Sequence, residues 1–325
     1  MTSGRMSRRR LLAGPVLSGG ALLTGRAPAL AQGYPARSIT VVLPVSVGGS
    51  TDALMRTAAP LVTKTLGQTV VVDPRPGAAG ALAAGIVTRA RPDGYTLLAF
   101  FASTLLLPYV QQTNFDPLKD FTFIVGQHTF ATAAIVRADS AYKSLADLVA
   151  AAKANPGKIS VGTAGITSTG HLTIANFEKT LGIEFLHIPY KGAEYNHALL
   201  GGHVDAIFSG PNWMGMVDGG QARALAIFDD RRVAAYPDVP TAPELGVSII
   251  EKNAVAIVGP AGMSRQVVDV VRDAFDQAHR SDEFQAMLRK YLCQFWSPSG
   301  DELQAWAARK NVADGEIAKQ LGLKP

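Results

Sequence analysis

The five residues Ile39–Leu43 (ITVVL), with the turn and helix that follow them, constrain the fold more than any other feature of this chain. A wholly apolar run of strand length suits a strand buried on both faces, which needs a packing layer on each side. After it comes Pro44-Val45-Ser46-Val47-Gly48-Gly49-Ser50-Thr51-Asp52. Then Leu54, Met55, Ala58, Ala59, Leu61, Val62 and Leu66 recur at helical spacing until Gly67, a natural stop. This strand–turn–helix unit repeats. Strand patterns recur at 70–72, Thr96–Phe101, 133–136, 159–161, 185–188, 204–208, 224–227 and 254–258. Helical patterns run from the Arg75-Pro76-Gly77-Ala78-Ala79-Gly80 turn to about 91, over Leu145–Ala154, and from His171 to Leu181, with two more helix-like stretches near the end. The alternation predicts an α/β fold built on largely parallel sheets.

A chain of 325 residues exceeds one typical domain of roughly 100–200 residues, so two α/β halves are expected. Segments of weak pattern near 125–135 and 228–240 are the candidate hinges. If both are crossings, residues 32–131 and 235–325 form one discontinuous domain and 132–234 the other. A composition 47% hydrophobic and 18% charged excludes a disordered chain, and one cysteine excludes a disulfide framework.

The formal charge of +5 invites a nucleic-acid or anionic-membrane reading, until its location is considered. Residues 1–31 hold Arg5, Arg8, Arg9, Arg10 and Arg26 and no acid, leaving 26 basic against 26 acidic residues in the remainder. That segment has a basic start, an apolar stretch at 11–23 and the small residues Ala29-Leu30-Ala31, the pattern of an export signal. The stretch is shorter than the ~20 residues that a membrane span needs. Ser7-Arg8-Arg9-Arg10-Leu11-Leu12 resembles a twin-arginine signal, with an ordinary secretory signal as the alternative. The expectation is cleavage before Gln32 and a formally neutral periplasmic protein with no nucleic-acid partner.

Two loops carry candidate chemistry. Gly48-Gly49-Ser50-Thr51-Asp52 and Gly162-Thr163-Ala164-Gly165-Ile166-Thr167-Ser168-Thr169-Gly170-His171 each follow a buried strand and open a helix. Glycines let backbone approach a ligand, and the first helical turn offers unpaired N–H donors with partial positive charge. Such openings bind anions without any arginine, and in open α/β sheets they lie where ligands bind. The plainer reading is that Ser50, Thr51, Asp52, Ser168 or Thr169 simply cap their helices. A pair of such loops, one per half, favours a binding cleft between the halves. Tyr190 and Trp213 each follow a strand end and either border this cleft or pack in the core. The histidines (His128, His171, His187, His197, His203 and His279) show no metal-ligand spacing and, His171 apart, read as surface or satisfied side chains. Ser168 with His171 raises nucleophilic catalysis, but no nucleophile elbow is present. Cys293 lies in an apolar stretch and reads as a buried small hydrophobe.

Taken in order, these motifs resemble one family. They comprise Pro44…Gly48-Gly49-Ser50-Thr51-Asp52, Arg75-Pro76-Gly77-Ala78-Ala79-Gly80, Pro92-Asp93-Gly94-Tyr95-Thr96-Leu97-Leu98 and Thr163-Ala164-Gly165…Ser168…His171. Pro189-Tyr190-Lys191-Gly192-Ala193, Leu200-Gly201-Gly202-His203-Val204-Asp205, Tyr236-Pro237-Asp238-Val239-Pro240-Thr241 and Gly259-Pro260-Ala261-Gly262 complete the set. The chain resembles the substrate-binding receptors of the tripartite tricarboxylate transporters, the Bug family, from about Tyr34 to Leu323.

The resemblance implies a two-domain periplasmic binding protein, type II-like, with two crossover strands and a ligand cleft between domains. It implies a monomer with no cofactor, a small carboxylate ligand, and a large and a small integral-membrane transporter subunit as partners. The implied binding residues are Val45, Ser46, Gly48, Gly49, Ser50, Thr51 and Asp52 in the first loop and Thr163, Ala164, Gly165, Thr167, Ser168 and His171 in the second, with Tyr190 and Ser209 alongside. Four positions depart from the family pattern. Val45 stands where Phe is common, Ser50 where a third Gly is frequent, Thr167 where a Gly usually precedes the serine, and Ser209-Gly210 where Asp-Asn is frequent. Loss of that acid points to an aromatic or less polar carboxylate. The alternatives are an exported hydrolase using Ser168 and His171, or a ligand-sensing subunit for a membrane kinase.

Overall fold

The computed structural model describes residues 33–324 other than Thr167; the expected export signal lies outside them. Two mixed sheets form the frame. The first contains β1 (Ile39–Leu43), β2 (Val70–Pro74), β3 (Thr96–Phe101), β4 (Phe121–Phe130), β10 (Asn253–Pro260) and β11 (Cys293–Phe295), in the order β11-β4-β10-β3-β1-β2. The second contains β5 (Ala133–Arg137), β6 (Ser160–Thr163), β7 (Leu186–Pro189), β8 (Ala206–Ser209) and β9 (Ala222–Ile227), in the order β7-β6-β8-β5-β9.

Strand direction explains the arrangement. In the first sheet β1 to β4 run one way and β10, inserted between β3 and β4, runs against them. In the second, β6 to β9 run one way and β5 runs against β8 and β9. The reversed interior strand in each sheet is thus the one arriving from the other sheet. The chain leaves the carboxyl edge of one parallel set and enters its partner sheet beside the carboxyl ends there. Ala133, the first residue of β5, pairs with Ser209 and Ile227, the last residues of β8 and β9.

Helices cover both faces of each sheet. On the first, α1 (Ser50–Leu66), α8 (Arg265–His279) and α9 (Asp282–Lys290) bury Leu54, Met55, Val62, Val271, Phe275 and Phe284. The opposite face carries α2 (Ala81–Thr88), α3 (Leu107–Val110) and α10 (Gly300–Gln320), with Ala83, Val87, Leu107 and Leu303 inward. On the second sheet α4 (Leu145–Ala154) and α5 (Thr169–Leu181) bury Leu148, Ile174 and Phe177. There α6 (Glu194–Leu200) and α7 (Met214–Asp218) bury Leu199 and Met214 on the other face. The predicted stop of α1 holds: Gly67 adopts φ 67°, which glycine tolerates, and its N–H closes on the Thr63 carbonyl.

Periodicity missed two strands, the short β11 and β4, the latter overlapping the weak-pattern segment near 125–135. The ten residues of β4, FTFIVGQHTF, carry Gln127, His128 and Thr129 where apolar side chains were expected, and all three are fully buried. Gln127 bridges two imidazoles, with Nε2 3.2 Å from His279 Nε2 and Oε1 3.1 Å from His128 Nδ1. Bulges in the pairing with β10 interrupt the alternation of this strand.

The first crossing is only Ala131-Thr132; the second occupies 228–252. Phe228 N–H donates to the Thr132 carbonyl at 2.8 Å and Glu251 N–H to the Phe228 carbonyl at 2.8 Å, so the two crossings are hydrogen-bonded to each other. Ala242 and Ile249, from the second crossing, pack in the core of the second sheet. Lys310 of α10 holds the end of this segment through Glu251 at 2.6 Å and Asp314 at 3.0 Å, all nearly buried. Removing one partner of such a buried cluster costs about 3–5 kcal/mol.

Burial holds the pKa of both His128 and His279 down at about 3, so each is neutral in the fold at neutral pH. The unfolded chain binds those protons near pH 6.5, so their contribution is complete above that pH and is lost as pH falls toward 3. His279→Gln should therefore lose about 2 kcal/mol less stability than the wild type between pH 6.5 and 5. Urea unfolding at the two pH values measures the difference.

Candidate functional site

The short first crossing decides where the two glycine-rich loops lie. Two residues span at most about 10 Å between the end of β4 and the start of β5, so the carboxyl edges of the two sheets face one another. Both loops leave from those edges, one after β1 and the other after β6. Trp213, fully buried in the second core, donates its indole N–H to the Ala131 carbonyl at 3.2 Å and pins the crossing.

The first loop is not closed by a side-chain cap. Gly49 occupies the N-cap position of α1 in extended conformation and no side chain accepts from the first turn, so Ser50, Thr51 and Asp52 do not cap as the plainer reading expected. Asp52 instead folds back. Its carboxylate accepts the Gly48 N–H at 3.0 Å and the Arg56 Nε at 2.9 Å. Burial works to raise its pKa, but the bonds from Arg56 and Gly48 outweigh that and hold it below the usual carboxylate range. Asp52 therefore shapes the loop, with Gly48 at φ 98° making the turn. Ser46, Val47, Gly48 and Gly49 are exposed, Val45 and Ser50 half-buried and Thr51 buried. The Ser50, Thr51 and Asp52 N–H groups make no hydrogen bond among the described residues.

The second loop has a true cap. Ser168 Oγ accepts the His171 N–H at 3.3 Å while keeping its own proton to donate. Thr163 is fully buried, its hydroxyl 2.7 Å from His187 Nε2 and 3.2 Å from the Gly165 carbonyl. The His171 ring stacks on His187 with centroids 4.0 Å apart. Burial lowers both pKa values, that of His187 to about 4 with His171 adding to the effect. Ala164 is exposed; Thr167 lies outside the described residues. Tyr190 is half-buried and donates its N–H to the Thr163 carbonyl at 3.0 Å. Ser209 is turned inward, its hydroxyl shared with the Tyr195 hydroxyl at 2.9 Å and donating to the Gly210 carbonyl at 3.0 Å. Trp213 takes the core alternative.

An apolar cluster joins the two sides of the seam. Leu106, just past β3, packs with Leu172 and Ala175 of α5 and with Ile317 and Ala318 of α10. Beside the first loop a hollow of about 230 Å³ is lined by Pro44, Val45, Gly77, Ala79, Gly80, Phe101, Ser103 and Thr104. Gly77, Ala79 and Gly80 of the Gly77-Ala78-Ala79-Gly80 turn form part of its rim. Ala78 and Ala79 adopt φ of 47° and 53°, a conformation rare outside glycine and concentrated at ligand sites. Larger hollows include those of about 500 and 560 Å³ away from both loops, one along 231–235 and β11 and the other along α4. Among the described residues no group of three or more His, Cys, Asp or Glu side chains could hold a metal ion, and no helix is long and apolar enough to cross a membrane.

The family model described as tripartite tricarboxylate transporter family receptor matches residues 54–323. The chain belongs to this family. A UPF0065 protein of Cupriavidus necator is 36% identical over 98% of this chain and 99% of its own. A TctC solute binding protein from Polaromonas superposes with TM-score 0.82 and 28% identity, covering 88% of this chain and 99% of that one. A protein of R. palustris solved with adipate gives TM-score 0.72 and 26% identity, covering 90% and 99%. The family consists of solute-binding receptors, not enzymes, which removes the hydrolase alternative. The backbone cap between Ser168 and His171 is what their spacing serves.

Gly170 sets how closely the opening of α5 approaches β8. A Cβ there would lie 2.3 Å from the Phe208 carbonyl oxygen and 3.1 Å from Thr163 Cγ2. Alanine gains up to about 1 kcal/mol of helix propensity, but the clash is with backbone and cannot be relieved by a rotamer. Gly170→Ala should destabilise the protein by about 1–3 kcal/mol, read as a lowered midpoint in chemical denaturation.

Proposed function

We propose that this receptor captures a small carboxylate between its two lobes, closes over it and delivers it to a paired large and small membrane subunit of a tripartite tricarboxylate-type transporter. The observation that carries the reading is the pair of helix openings on facing carboxyl edges. The N–H donors of the first have no partner among the described residues. A formally neutral remainder of 26 acidic and 26 basic residues makes local dipoles the source of anion affinity. In this reading the lobes are 34–131 with the chain from about 252, and 132–251. This reading puts the second boundary later than residue 235, with support from Ala242 and Ile249, which pack with the second sheet. The binding residues are those of the two loops and Tyr190, with Asp52 and Ser209 acting as supports.

Closure follows if the ligand meets both loops only when the edges approach, because differential affinity for one state is what shifts a population. Export to the periplasm, through the twin-arginine route, is part of the same reading and rests on residues 1–31. The preferred ligand is a carboxylate with an apolar body. Val47 and Ile166, at the tips of the two loops, are 67% and 61% exposed. They offer apolar cover to such a body, as the adipate bound by the R. palustris relative would need.

Thermal-shift measurement across mono-, di- and tricarboxylic and aromatic acids tests this. A true ligand at ~100 times its Kd adds about 2.7 kcal/mol of stability. Stabilisation by sugars or cations and by no carboxylate would sink the anion model. Ser168→Ala should weaken the best acid about tenfold or more, the loss of a hydrogen bond to a charged group. Its stability cost should be only about 0.5–2 kcal/mol. Calorimetric titration measures the first effect and denaturant unfolding the second; unchanged affinity would leave Ser168 a cap and nothing more.

A further inference from the structure

We infer that His187, which lies on β7 outside both loops, is a positioning residue for the second loop and controls ligand affinity through Thr163 without touching the ligand. The inference rests on the proposed carboxylate site for the place of binding. Its evidence is the geometry behind that loop. The Thr163 hydroxyl has a single proton and two partners within reach, His187 Nε2 at 2.7 Å and the Gly165 carbonyl at 3.2 Å. Both contacts are satisfied together only when His187 carries its proton on Nε2 and donates to Thr163, which then donates to Gly165. A relay from His187 through Thr163 to the Gly165 carbonyl results.

Gly165 sits at φ 121°, a conformation suited to glycine, so the turn has no side chain of its own to hold it. Its N–H lies 3.4 Å from the same Thr163 hydroxyl, and its carbonyl also receives the Ser168 N–H at 3.3 Å. The hydroxyl that His187 orients is therefore the fixed point from which the turn is measured, up to the cap of α5. His187 itself is placed by the β6–β7 ladder opposite Val161 and by the face-to-face stack on His171, with 12° between ring planes. Both rings being neutral at pH 7, their contact carries no charge repulsion and the Nε2–H tautomer can persist.

Two substitutions separate the relay from the stack. His187→Phe keeps a ring against His171 and removes the donor, whereas His187→Gln keeps an N–H within reach of Thr163. In the ligand-free protein, hydrogen exchange over 163–171 should rise about tenfold in the Phe variant and stay within about twofold in the Gln variant, as loss of one ~1.4 kcal/mol bond predicts. With adipate as probe, the Phe variant should bind about tenfold more weakly and the Gln variant close to wild type. Equal exchange in both variants and wild type overturns the inference. So does weakened adipate binding with unchanged exchange, since His187 would then contact the ligand. A wild-type protein that does not bind adipate counts against the apolar-carboxylate reading alone, while loop exchange still decides the role of His187.

Discussion

Everything in this structure that concerns binding depends on a two-residue link. Ala131 and Thr132 join a strand in one sheet to a strand in the other, and so short a link leaves the carboxyl edges no choice but to face each other. Backbone bonds from Phe228 to Thr132 and from Glu251 to Phe228 make the return crossing part of the same ladder. The Trp213 indole fastens the link to the second core. A crossing tied by backbone bonds can flex while keeping its register, which suits the closure proposed above.

Charge is divided between the two sides of this seam in an instructive way. Ionic contacts gather at the return crossing, where Lys310 lies between Glu251 and Asp314 and Lys252 sits beside Asp229 and Asp230, and Lys179 of α5 pairs with Glu316 of α10 at 2.8 Å. At the loops the one buried carboxylate, Asp52, is spent on Gly48 and Arg56. In the proposed site, an anion would be oriented by helix openings, hydroxyls and neutral imidazoles. Such groups are weak in water and gain strength once water is excluded, so an anion held by them should favour the closed arrangement.

Much of the fold was legible because the local pattern and the packing demand agreed. The strands β1 and β3 and the helix α4 fall where their apolar residues say they should, and Gly67 ends its helix as expected, in the left-handed conformation. Where the two diverged, the reading failed. The buried residues Gln127, His128 and Thr129 make β4 look like a loop, because its polar atoms are satisfied partly by a histidine 152 positions away. Ser50, Thr51 and Asp52 look like caps, yet a glycine takes that position while Asp52 reaches backward. His187 was read only as a surface or satisfied histidine, and its partners stayed hidden because neither Thr163 nor His171 is near it in the chain.

By itself the sequence determined the family, the α/β class, the neutrality of the chain beyond its first 31 residues and the two loops on which anion binding can be argued. The family follows from the resemblance of its ordered motifs and the rest from composition and short-range pattern, none of which needs knowledge of what lies across a sheet. Only the tertiary structure decided that the loops share one seam, that Asp52 and Ser209 turn inward, and that a ring on β7 reaches the hydroxyl behind the second loop. Those outcomes depend on strand order and on hydrogen bonds between residues far apart in the chain. Periodicity cannot carry that information, because the partner of a polar side chain is set by the sheet that folds around it.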